Sequence, residues 1–135
     1  MKMWVYIQGI EGPDQGWFEV IDVANSSAAM LGIEPIGNYE FRFTVDTTKS
    51  DLATRIGRVL LHSYAKASVF PVVRTYRTSH ILFEYRNCRV TSVSSSATES
   101  TVTMSAESAE FKQEAPLLQL AAHAGAQVVK HALQR

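Results

Sequence analysis

The stretch ILFEYRNCRVTSVSSSATESTVTMSAESAEF, residues 81–111, decides how the rest of the chain is read. It divides into two strands of about ten residues each around the serine-rich tip SSSATES. The apolar positions of the first strand are Ile81, Phe83, Tyr85, Cys88 and Val90. Those of the second are Val102, Met104, Ala106, Ala109 and Phe111. Each strand keeps a spacing of two, broken once by a spacing of three. Antiparallel pairing with Val93 opposite Thr101 sets Val90 against Met104, Cys88 against Ala106, Tyr85 against Ala109 and Phe83 against Phe111. The two breaks then fall at one level. Strand side chains alternate strictly between faces, so a matched break implies that the buried face changes sides there. Cys88, Val90, Met104 and Ala106 would bury on one face, and Phe83, Tyr85, Ala109 and Phe111 on the other. A bulge in each strand is the alternative.

The chain has 135 residues, enough for one domain with a real core. Thirteen basic residues balance thirteen acidic ones, so no net field draws it to nucleic acid or a membrane surface. The lone Cys88 excludes an intrachain disulfide and reads as a small core filler. No apolar run approaches the roughly 18 residues of a membrane span. The opening MKMWVYIQGIEGPDQG alternates like a strand and is followed at once by acids, unlike a secretory signal.

Outward from the ribbon, Met3 to Ile7 predicts a first strand and GWFEVIDV, Gly16 to Val23, a second that forms a hairpin with it. That second strand carries apolar groups on both faces, with Phe18 and Val20 opposed to Trp17 and Ile21, so it is covered twice or lies at an interface. Ala24 to Asn38 shows no sustained period and predicts a long loop. Its Met30, Leu31, Ile33 and Ile36 are unusual for exposed chain and must fold back or meet a partner. YEFRFTVDT is the clearest strand, with Tyr39, Phe41, Phe43 and Val45 inward. TTKSDLATRIGRVLLHSYAKA changes period to a helix of about 14 residues, capped by Ser50, with Leu52, Ile56, Val59 and Leu60 as its apolar stripe. VFPVVRTYR, Val69 to Arg77, is a strand whose Pro71 argues for an edge or a strand start. After Phe111, Pro116 can open a terminal helix with Leu117, Leu120, Ala121, Ala124, Val128 and Ala132 close to one stripe. The whole predicts a mainly β barrel or small sandwich, with one helix inserted mid-chain and another at the C-terminus. Residues 1–112 form the barrel domain and 113–135 a helical extension.

Chemistry is sparse. The four histidines, His62, His80, His123 and His131, are scattered, and no metal spacing, phosphate loop or nucleophile motif is present. His123 and His131, eight apart, are read as solvated helix residues. Arg74, Arg77, Arg86 and Arg89 interleave with Tyr76, Phe83 and Tyr85, a pattern that suits single-stranded nucleic acid on a sheet. Zero net charge and acids such as Glu84 beside Arg86 favour cross-strand ion pairs. No catalytic residue, cofactor site or metal site is assigned, and an enzyme is not expected.

Several stretches together resemble the haemolysin-coregulated protein (Hcp) family of bacterial type VI secretion tube proteins. VYIQGIEG followed by GWFEVIDV is similar to the family's opening strand, turn and second strand. FRFTVDTTKSDLATRIGRVLLHSYAKASVFPVV resembles its strand, linker, helix and following apolar strand. ILFEYRNCRVTSVSSS with STVTMSAESAEF is similar to its final hairpin. The resemblance covers about residues 3–111.

It implies a β-barrel protomer of two packed sheets, assembled into a homohexameric ring with a wide lumen. Such rings stack into a tube and carry or chaperone effectors. Sheath, baseplate or spike, and effector proteins would be the partners. The protein would reside in the bacterial cytoplasm before firing and then leave by the type VI route without a signal peptide. Neither cofactor, nucleic acid nor membrane insertion is implied. Met30, Leu31, Ile33, Ile36 and Trp17 are the expected subunit or ring contacts. A monomeric β-barrel binding or adaptor module, and a tube protein of a related phage-like contractile tail, are the alternatives.

Overall fold

A short strand whose neighbour in sequence pairs elsewhere is what shapes this molecule. In the computed structural model, which describes residues 3–10, 16–49, 51–77 and 81–112, the segment Trp17–Ala24 bends at Ile21. Its first part, β2 (Trp17–Val20), pairs antiparallel with β1 (Met3–Ile7). Its second part, β3 (Asp22–Ala24), pairs antiparallel with β4 (Tyr39–Asp46). At the bend itself the Ile21 N–H donates to the Thr44 carbonyl at 2.9 Å. The remaining strands are β5 (Val69–Arg77), β6 (Ile81–Ser95) and β7 (Glu99–Lys112), and the sheet order is β2-β1-β5-β6-β7-β4-β3. Because the two end strands are one bent segment, the sheet closes on itself as a barrel and protects its edges. The expected mainly β barrel is found, and the two expected layers are opposite halves of one sheet.

Aromatic and β-branched residues at every second position give each strand a face for the barrel interior. Val5, Ile7, Phe18, Phe41, Phe43 and Val73 meet there, each at most 3% exposed. Phe41 lies flat on Tyr85, with ring centroids 3.9 Å apart. Strand β4 follows its expected alternation, except that Thr44 on the other face is also buried, bonded to the Thr101 hydroxyl at 3.0 Å.

The ribbon β6–β7 pairs as its apolar pattern requires from Phe83↔Phe111 through Tyr85↔Ala109 and Cys88↔Ala106 to Val90↔Met104. A bulge between Val90 and Ser92 then shifts the tip, so Val93 faces Val102 rather than Thr101. The break in alternation is present: Arg86 and Asn87 are both exposed, between buried Tyr85 and Cys88. Its expected consequence is not. Phe83, Tyr85, Cys88, Val90, Met104 and Ala106 all belong to one core cluster, with Ala109 packed against it. Asn87 supplies the reason, with a left-handed φ of +53° that re-aims the following strand toward the same interior. Phe111, expected to be buried, is 50% exposed.

Three further expectations change. The long loop contains a helix, α1 (Ser27–Leu31). The mid-chain helix, α2 (Asp51–Ala65), buries Ile56 and Leu60, while Val59 is 39% exposed. Ser63 continues the buried stripe and donates to the Val59 carbonyl at 2.8 Å. Finally, strand β5 is internal, between β1 and β6, in spite of Pro71. The missing donor is tolerated because pairing with β1 ends at Val73, and the β5–β6 ladder passes from Val72↔Arg86 to Phe70↔Cys88. The expected Ser50 cap, His80, and the terminal helix with His123 and His131 lie outside the described residues.

Candidate subunit-contact site

Helix α1 exists because both its ends are closed. Ser26 precedes it with an extended backbone, and its Oγ accepts from the Ala29 N–H at 3.4 Å. At the other end Gly32 adopts a φ of +67°, which a side chain rarely tolerates. Its N–H donates to the Ala29 carbonyl, and the Ile33 N–H to the Ala28 carbonyl at 3.0 Å, the doubly bonded helix stop. None of the five helical side chains is buried. Ala29 packs half-buried against the core, and that contact by itself does not hold α1 in place.

A polar anchor in the barrel wall does. The Tyr85 hydroxyl accepts from the Ser26 N–H at 3.2 Å and donates to Asn25 Oδ1 at 3.0 Å. Thr75 Oγ1 donates to the same oxygen at 2.7 Å. Tyr85 and Thr75 are fully buried, so these bonds form away from water and hold the start of α1 against β5 and β6. Burial raises the Tyr85 phenol above its ordinary range, and the hydroxyl stays protonated as this geometry needs.

The result is an apolar rim. Met30, Leu31, Ile33 and Ile36 are 48%, 72%, 55% and 107% exposed, a density of bare apolar surface that single scattered residues do not explain. Between α1 and the end of the ribbon lies an open groove of about 430 Å³, lined by Ala29, Met30, Leu31, Gly32, Phe83 and Phe111. Phe111 stands in it half exposed, its ring 5.3 Å from that of Phe83. Neither phenylalanine is singled out by the sequence, where both look like core. On the other side of α1 a polar groove of about 410 Å³ runs past Asn25, Ser26, Asn38, Glu40, Arg42 and Thr103.

Trp17 is not part of this rim. It is 8% exposed in a second cluster with Trp4, Tyr76 and Leu82, on the outer face of β1, β5 and β6. Its ring is already covered within the chain and contacts Tyr6 at 5.7 Å.

Beside that cluster sits the ion-pair group. Glu84, 1% exposed, binds Arg74 Nε and an Arg86 guanidinium nitrogen at 2.8 Å each, with Lys112 Nζ at 3.6 Å. Arg74 also lies over the Tyr6 ring at 5.1 Å. Burial works against the Glu84 anion, but the Arg74 bond and the charges of Lys112 and Arg74 outweigh it and hold the carboxyl below its usual range. Of the four arginines expected to pair with acids, Arg74 and Arg86 do so here. Cys88 is fully buried, and burial pushes its thiol up to about 12. Among the described residues no three His, Cys, Asp or Glu side chains converge on a metal site. Among them, too, no helix is long and apolar enough to cross a membrane.

Neither a family model nor a curated protein matches the chain. Solved structures do. Hcp2 from Salmonella typhimurium superposes with a TM-score of 0.62 at 14% identity, over 84% of this chain and 88% of that one. The chain has the Hcp fold. Hcp1 from Salmonella typhimurium matches at a TM-score of 0.60 and 17% identity, covering 84% of this chain and 85% of the other. A mutant form of the Hcp1 protein from the E. coli EAEC 042 pathovar matches at 0.58 and 15%, over 84% and 88%. The Hcp fold thus accounts for nearly the full length of each relative. At such identities it is the barrel that is shared, while the α1 rim rests on this chain's own residues.

Proposed function

We propose that this chain is a structural tube protein of a bacterial type VI secretion system. Protomers close into a hexameric ring, rings stack into a tube, and the lumen carries or chaperones effectors. Sheath and baseplate or spike proteins are the remaining partners, and no cofactor is needed. The protein waits in the cytoplasm and leaves through the secretion apparatus itself. The chain acts by assembly rather than by catalysis.

The observation that carries this reading is the α1 rim. A helix with no buried side chain is fixed at both caps and anchored by a buried tyrosine, and it holds Met30 and Leu31 in water. Ordering exposed apolar groups so firmly is favourable when another surface covers them. A ring provides that surface from an identical copy, through a heterologous contact that closes. The groove beside α1 is open, as a subunit contact requires, whereas a small-ligand module would enclose its site.

Replacing Leu31 and Ile33 with Asp tests the assignment. Sedimentation should show loss of the ring while the far-UV spectrum and urea midpoint of the protomer stay close to the parent. Rings that form as before would remove α1 from the interface. A parent chain that is monomeric at high concentration would refute the tube reading itself and favour the monomeric adaptor.

A further inference from the structure

Helix α2 carries a second apolar line besides the one it buries. Ile56, Leu60 and Ser63 face the barrel. Gly57, Leu61 and Tyr64 recur at helical spacing on the adjoining flank. Gly57 is buried against Ser100, whose Oγ would lie 3.5 Å from a β-carbon placed there. Leu61 and Tyr64 continue that line into water, 52% and 47% exposed. Cations border it. Arg55, Arg58, His62 and Lys66 are all exposed, and residues 54–66 contain no acid. Among the described residues none of these four makes an ion pair. An apolar ridge on a helix, edged by one sign of charge, has the form of a segment that seats in a groove.

The complement lies at the other end of the same barrel. The groove beside α1 is concave and apolar, with Met30, Leu31, Phe83 and Phe111 among its walls. Its surroundings are acidic. Residues 24–38 carry one charge, Glu34, and the ribbon end beside Phe111 adds Glu107 and Glu110, all three exposed. Arg86 and Lys112 near them are held by Glu84. The register fixes the separation, because the groove sits at the Phe83↔Phe111 end of the ribbon and α2 touches Ser100 beside its tip. Eleven residues of β7 run from Ser100 to Phe111, about 36 Å of strand. One chain therefore cannot bring ridge and groove together, but two copies can.

We infer that the α2 ridge of one copy, Leu61 and Tyr64, seats in the α1 groove of the next, head to tail. This rests on the tube reading, whose ring supplies the adjacent copy, and it names the surface that covers the α1 rim. Shape and charge both select this pairing. Groove against groove would set hollow on hollow and acid on acid, whereas ridge in groove sets Arg58 and its neighbours near Glu34 and Glu110. Two different patches at opposite ends of a protomer are what a heterologous contact needs.

Single cysteines test the pairing in the full chain, since native Cys88 is buried. Leu31→Cys and Leu61→Cys chains, co-expressed and treated with a short bis-maleimide, should give cross-linked dimers, and neither variant alone should cross-link. The double variant should give a ladder up to six chains. Leu61→Asp with Tyr64→Asp should return the ring to a protomer whose far-UV spectrum matches the parent. Rings seen by native mass spectrometry without a Leu31–Leu61 cross-link would overturn the pairing and leave the tube reading standing. Cross-linking of Leu31→Cys alone would also overturn it, by making the contact groove to groove. A parent chain that is monomeric throughout would instead refute the tube reading on which the pairing rests.

Discussion

Replacing Tyr85 with Phe removes one oxygen and leaves the ring stacked on Phe41 in place. That oxygen makes two of the bonds that connect the barrel wall to α1, one accepted from the Ser26 N–H and one donated to Asn25. Asn25 keeps its bond from Thr75, so the larger part of the cost falls on the Ser26 N–H at a residue only 4% exposed. A buried donor left without a partner costs about 1–3 kcal/mol. With a urea slope of about 1–3 kcal/mol per molar, the unfolding midpoint should fall by roughly 1 M. The loss should be uneven as well. Amide exchange should quicken most at Ser26 to Ile33, because beyond the half-buried Ala29 it is caps and anchor that hold α1, and least in the β6–β7 ladder. Ring assembly should weaken along with it, although no interface residue has changed. An unaltered midpoint together with unaltered exchange at Ala29 and Met30 would refute the anchor.

Glu84→Gln should destabilise the protomer by about 1–2 kcal/mol at neutral pH, a moderate loss because Arg74, Arg86 and Lys112 are 38%, 54% and 38% exposed and regain water. The folded-state pKa of Glu84 is lowered, so its contribution is complete above the unfolded value and fades as pH falls through the folded one. Urea midpoints of parent and variant should therefore converge in acid, and a constant gap would contradict the ion-pair group. Asn87→Val forces a β-branched residue into a left-handed backbone and should cost about 1–2 kcal/mol, read as a lower melting temperature. Cys88, with its thiol raised to about 12, should resist a disulfide reagent at neutral pH until urea unfolds the chain.

Much of the barrel was legible because its strands alternate. Phe41, Phe43 and Val45 mark the inward face of β4, and the apolar spacing of β6 and β7 yields their register from Phe83 to Val90 without a structure. The spacing could not report the backbone at Asn87, since a left-handed residue and a change of buried face leave the same mark in sequence. Barrel closure was hidden for a different reason. It depends on one bend at Ile21, in a segment that reads as a single strand. Helix α1 buries no side chain, so it has no period to detect; its signals are the caps Ser26 and Gly32 alone. The apolar residues at 30, 31, 33 and 36 were conspicuous for being apolar in a turn-rich stretch, and they are exposed. Phe111 was missed because an aromatic at a strand position reads as core, whereas it stands half exposed in the groove beside α1. Trp17 was marked for having apolar neighbours on both faces. The chain itself supplies its cover.

Native mass spectrometry of the purified full-length chain tests the central claim most directly. A tube protein should appear as a hexamer at micromolar concentration, with ring-shaped particles in negative stain, and Leu31→Asp with Ile33→Asp should return it to the protomer. A parent chain that stays monomeric across the accessible concentration range would contradict the account.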